Sequence, residues 1–72
     1  MPLSMATVGE KARIEEITGK DETRLHLKNL GFVPGAPVTV VSQLGGNIIL
    51  SLMDTRIALN RSMASRILVS II

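Results

Sequence analysis

Apolar and polar residues alternate along most of this chain, and the alternation is interrupted once by a longer period. In the segment Glu10 to Thr18, Ala12 and Ile14 alternate with charged neighbours, the period-two pattern of a strand with one buried face. Gly19-Lys20 breaks it. Asp21 is then placed to accept backbone N–H groups as an N-cap, with Glu22 in the first turn favoured by the helix dipole. A helix is predicted from Glu22 to Leu30, with Leu27 and Leu30 on one face. A second strand follows from Pro37 to Gln43, and Leu44-Gly45-Gly46-Asn47 reads as a hairpin turn. The third strand, Ile48 to Leu52, is apolar at 48, 50 and 52; Met53-Asp54 turns it into a fourth, Thr55 to Asn60. Arg61 to Ser65 is too short for a stable helix and reads as a helical turn. The last strand, Arg66 to Ile71, puts Ile67, Val69 and Ile71 on one face.

Such a pattern is mainly β: a small antiparallel barrel of five strands with one short helix after the first strand. Residues 1–72 read as a single domain, with no repeat or linker.

The stretch Leu27 to Pro37 carries the sharpest local signal. Gly31 sits where a helix ends in a residue tolerant of positive φ, which places Phe32 just beyond the cap and Leu27 one turn back. An apolar residue past the cap then packs on the last helical turn. Pro34-Gly35 supplies a turn dipeptide, and Pro37 opens the following strand where its missing N–H costs little. These residues are architectural, so function is expected to come through surfaces.

Composition narrows the choice further. The chain has 72 residues, no Cys, one aromatic residue and a net charge of +2. Zero Cys excludes disulfides, thiolate chemistry and Cys-based zinc sites. The charge excess is too small to demand nucleic acid. With no Tyr or Trp, neither an aromatic groove for proline-rich peptides nor a set of stacking rings for single-stranded nucleic acid can be built. The first ten residues lack the basic and apolar regions of a secretory signal, and no apolar run approaches the roughly 18 residues of a bilayer span. Direct membrane insertion is therefore not expected, and a cytoplasmic location is.

At this level the chain resembles the ferrous iron transport protein A family, FeoA, whose members have an SH3-like small barrel. Leu27-Lys28-Asn29-Leu30-Gly31-Phe32-Val33-Pro34-Gly35 is similar to that family's L-x-x-L-G-[aliphatic or Phe]-x-P-G signature. The likeness continues through Val38 and Val40, Arg56 to Leu59 and Ala64 to Val69, and reaches back to Leu3–Glu10. The resemblance implies a cytosolic, non-enzymatic accessory of ferrous iron uptake. Its implied partner is the cytoplasmic, GTPase-containing portion of a membrane ferrous-iron permease. Related barrels form C-terminal domains of metal-dependent transcriptional repressors, so the alternative it implies is a stand-alone regulatory interaction module.

Candidate chemistry in the residues themselves is thin. His26 is the only histidine, and reads as a surface or half-buried side chain. Glu15 and Glu16 are adjacent on a strand and point to opposite faces. Ferrous iron wants several converging N/O ligands, and none is spaced for it. No catalytic residue, cofactor or dedicated metal site is therefore assigned, and transition-metal binding is expected to be weak. Gly45-Gly46-Asn47 lacks the Lys-Ser/Thr of a phosphate loop and reads as the hairpin alone.

What remains is surface. Ile49, Met53, Leu68 and Ile72 fall on the strand face opposite the inward set, and the helix is expected to cover part of them. The expected partner-binding residues are Leu25, Leu27 and Leu30 on the helix and Met63 in the short turn. Lys20, Arg24 and Lys28 recur every four residues beside them as a basic stripe. Weak self-association is compatible with the same apolar surplus.

Overall fold

Five strands form one antiparallel sheet: β1 (Lys11–Ile17), β2 (Pro37–Leu44), β3 (Asn47–Leu52), β4 (Thr55–Asn60) and β5 (Ile67–Ile71). Their spatial order is β4-β3-β2-β1-β5, so β1 bridges the meander β2–β4 and the last strand. A nine-residue helix, α1 (Asp21–Asn29), connects β1 to β2, and a single turn, α2 (Arg61–Ala64), connects β4 to β5. The computed structural model describes all 72 residues.

Local chemistry explains the connections. Gly45 (φ 58°) and Gly46 join β2 to β3 across the pair Leu44–Asn47. Met53 and Asp54 both have positive φ (50° and 66°) between the paired residues Leu52 and Thr55, as in the primed turns that match strand twist. Asn60 ends β4 and caps α2, its Oδ1 accepting the Met63 N–H at 2.7 Å. Register shifts in β1 between Ile14 and Glu16, and in β2 between Val40 and Ser42, mark bulges that bend the sheet. The sheet curls over a core without closing, because no ladder joins β4 to β5.

The core sits inside that curl. Ala12 and Ile14, Val38 and Val40, Ile48, Leu50 and Leu52, Leu59, and Ile67 and Val69 are its strand residues, at most 4 % exposed. Of these, Ala12 and Ile14, Ile48, Leu50 and Leu52, and Ile67 and Val69 are alternating positions that the sequence pattern selects. Leu3, Leu27, Phe32 and Ala64, all at 0 % exposure, complete the core with Ala6 and Ala36. Each fully buried Leu or Ile removes enough apolar area from water to stabilise by about 1.5–3 kcal/mol.

Several sequence expectations need correction. Asp21 is the first residue of α1, and Lys20 holds the N-cap position in an extended conformation (φ −72°, ψ 153°) with no side-chain cap. The chain leaves Gly19 at φ 112° and turns into the helix one residue earlier than the capping pattern suggests. Leu30 does not share the buried face of Leu27. It is the C-cap, where the helix has ended, and is 37 % exposed. Ile71, the last residue of β5, pairs with Ala12 but is exposed. The helix does not form a second layer over the outward strand face either. Its one buried residue, Leu27, enters the same core as the inward strand residues. Ile49 and Leu68 are half-buried, while Met53 and Ile72 are exposed.

No helix is long and apolar enough to cross a membrane.

Candidate functional site

The end of α1 is where the fold becomes a site. The Phe32 N–H donates to the Leu27 carbonyl and the Gly31 N–H to the Lys28 carbonyl, both at 3.0 Å, with Gly31 at φ 106°. This pair of bonds satisfies carbonyls that the helix end would leave orphaned, and it drops Phe32 onto the core beside Leu27. Val33 to Ala36 then close a turn, the Ala36 N–H reaching the Val33 carbonyl (3.1 Å) with Gly35 at φ 88°. The turn is tied to the neighbouring strand: Gly35 N–H donates to the Ile14 carbonyl (2.7 Å), and Ile14 N–H to the Ala36 carbonyl (2.9 Å).

A cleft of about 500 Å³ lies between this turn, α1 and the end of β1. Ile17, Phe32 and Val33, buried or half-buried, form its apolar floor, and exposed Pro34 also lines it. Glu16, Asp21, Arg24, Leu25 and Lys28 stand around it. Leu25 is 59 % exposed, an apolar side chain left standing in solvent at the lip. Arg24 lies 3.9 Å from Asp21, but both side chains are well exposed, so the pair is worth little. Lys28 and Glu16 have no ion-pair partner within the chain.

The structure brings together Arg24, Leu25 and Lys28, with Phe32 and Pro34 of the turn, out of the residues expected from the sequence. It separates the others from them. Leu27 is wholly buried in the core and does not line the cleft, so it cannot meet a partner. Lys20 and Leu30 stand exposed outside the cleft, and Met63 packs half-buried against the core on α2. Ile17 and Val33 are cleft residues that the sequence pattern does not single out as such. Ile17 follows Ile14 by three residues, a parity break within a strand, and the bulge at Glu15 is its cause.

The ionisable groups lining the cleft are the carboxylates of Glu16 and Asp21 and the cations Arg24 and Lys28. Its side chains include no hydroxyl, thiol or imidazole to act as nucleophile or base. His26 is exposed on α1. The bulge turns Glu15 to Ser70, whose Oγ donates to Oε1 at 2.5 Å. No three His, Asp or Glu side chains gather anywhere in the chain as a metal would require. Calorimetry with Fe²⁺ should accordingly show no affinity tighter than millimolar; a stoichiometric micromolar site lost in His26→Ala would contradict this.

A curled five-stranded antiparallel sheet with one short helix between its first two strands defines a domain of the SH3-like class. The chain belongs to the FeoA family, whose domain profile matches residues 1–71. Its fold is similar to that of an iron uptake regulatory protein, FeoA, solved crystallographically. The two are 32 % identical over 99 % of this chain and 95 % of that one, with a TM-score of 0.91. A zinc-complexed FeoA from Stenotrophomonas maltophilia, described as a prokaryotic SH3 domain protein, is 30 % identical over 97 % of this chain and 89 % of that one (TM-score 0.87). A manganese-dependent transcriptional repressor superposes at TM-score 0.91 over 36 % of its length, but at 16 % identity this shows the shared fold alone. No curated protein sequence matches the chain.

Proposed function

We propose that this protein is a cytoplasmic accessory of ferrous iron uptake that docks through the α1 cleft onto the GTPase-containing cytoplasmic portion of a membrane ferrous-iron permease. Docking would modulate the permease by biasing its conformation or assembly, with no reaction of its own. Family membership supports the transport setting. The cleft supports docking, and one observation carries it: Leu25, exposed between Arg24 and Lys28 over an apolar floor. An apolar anchor ringed by charge is the arrangement of a protein interface, in which the buried centre supplies most of the affinity.

The roles separate by kinetics. Leu25→Gln removes the anchor without touching the core, and should weaken capture of the permease's cytoplasmic portion at least about tenfold, near 1.4 kcal/mol. Charge reversal at Arg24 and Lys28 should mainly slow association and alter its salt dependence. Leu25→Gln is the cleaner probe than Met63→Gln, because Met63 also packs on the core. Full binding by a folded Leu25→Gln protein, with the Arg24/Lys28 reversal also silent, would rule this face out.

A further inference from the structure

The chain treats the two outer strands of its sheet differently. Beside β5, Val69 N–H donates to the Met1 carbonyl (2.7 Å), the Met1 amino group donates to the Val69 carbonyl (2.9 Å), and Pro2 bridges Leu68. That edge is covered over part of its length. Nothing pairs with the outer side of β4. Apart from Arg56, β4 also lacks the devices that blunt exposed edges, having no proline and no bulge along its ladder with β3.

The parity of that ladder identifies the free backbone groups. Leu52 and Thr55 flank a two-residue primed turn and so form a hydrogen-bonded pair. Alternation along an antiparallel ladder makes Leu50–Ile57 and Ile48–Leu59 the next such pairs. The N–H and C=O groups of Arg56 and Ala58 therefore point away from β3, and they bond to no other segment. Both residues are exposed. The Asn60 N–H points the same way.

We infer that this free edge pairs antiparallel with β4 of a second copy of the chain, about a twofold axis at Ala58, joining two sheets into one. Charge and geometry select that register. An axis at Arg56 would oppose two guanidiniums directly, and one at Ile57 would leave them diagonal neighbours, whereas like charges so placed destabilise a sheet. An axis at Leu59 would bring the two α2 turns against the opposing strands and leave Arg56 unpaired. With the axis at Ala58, the two Ala58 residues exchange both backbone bonds, and each Asn60 N–H reaches the Arg56 carbonyl of the other copy. Half-buried Ile57 then faces Leu59 of the other copy, so the apolar side of the sheet continues across the axis. β4 carries a single charge, and in this register it meets only an amide. That self-complementarity fits a second copy. The interface is one strand wide, which places it in the weak, transient class.

Sedimentation equilibrium of the full chain up to millimolar concentration should show a monomer–dimer equilibrium, with amide exchange at Ala58 slowing as concentration rises. Ala58→Glu and Ala58→Lys each put like charges face to face across the axis, and each should be monomeric under the same conditions. Their equimolar mixture should restore a dimer holding one copy of each. A chain monomeric throughout, a dimer persisting in either variant alone, or a mixture that stays monomeric overturns the inference. Exchange at Ala58 in the unsubstituted chain decides it independently of any variant: rates that ignore concentration mean that the edge is unpaired.

Discussion

Phe32→Ala should leave the domain largely unfolded at room temperature. Phe32 is 0 % exposed and is the largest fully buried side chain in the protein. Truncating a buried phenylalanine costs about 3–5 kcal/mol, partly in lost transfer energy and partly in the cavity that remains. A core in a chain of this size rarely supplies more than about 3–5 kcal/mol of net stability. The two quantities are comparable, and no disulfide is present to hold the remainder. Far-UV circular dichroism should lose its cooperative thermal transition in this variant. Phe32→Leu keeps most of the volume and should retain that transition at a lower midpoint. A Phe32→Ala protein melting within a few degrees of the unsubstituted chain would show that the cap region contributes little to the core.

Substitution of Gly31 should be costly for a different reason. At φ 106° the backbone lies where side-chain-bearing residues are strained, which costs about 1–3 kcal/mol. A Cβ built there would also meet Leu52 Cδ2 at 3.1 Å. That atom is the end of a flexible side chain, so Gly31→Ala should pay chiefly the backbone strain. Gly31→Val adds branched bulk against a core leucine and should be worse. Gly35 makes a useful contrast. Its φ of 88° is similarly strained, but a Cβ there would meet nothing within 4 Å. Chemical denaturation should therefore show Gly31→Val destabilised by more than Gly35→Val. Equal losses would mean that conformation alone matters at both turns.

Much of the fold is legible in the sequence because local rules suffice for it. The 48/50/52 alternation and the Gly45-Gly46 and Met53-Asp54 turns specify a meander whose strands pair with their sequence neighbours. The Leu27–Gly31–Phe32 spacing specifies the helix end, since its hydrogen bonds span only a few residues. The site is only half legible. Arg24, Leu25 and Lys28 share one side of a helix, and helical spacing finds them. Leu25 and Leu27, apolar residues on either side of His26, cannot be assigned to solvent and core by composition; only the register of α1 against the sheet does that. Ile17 is hidden by the bulge at Glu15, and bulges arise from pairing with a partner strand some fifty positions away, Ile17 with Ile67. Met63 reads as surface because its turn is short, but packing between α2 and the core covers half of it.

The position of the lone phenyl group has a spectroscopic consequence. With no Tyr or Trp, the chain is almost transparent near 280 nm and has no useful intrinsic emission. Its proton spectrum is correspondingly simple to interpret. His26 is exposed, so Phe32 is the single ring in the interior, and methyl resonances displaced by ring currents there must come from its immediate surroundings. Because the same ring also backs the cleft, those few shifted methyl signals report at once on the integrity of the helix end and on anything seated against its outer wall.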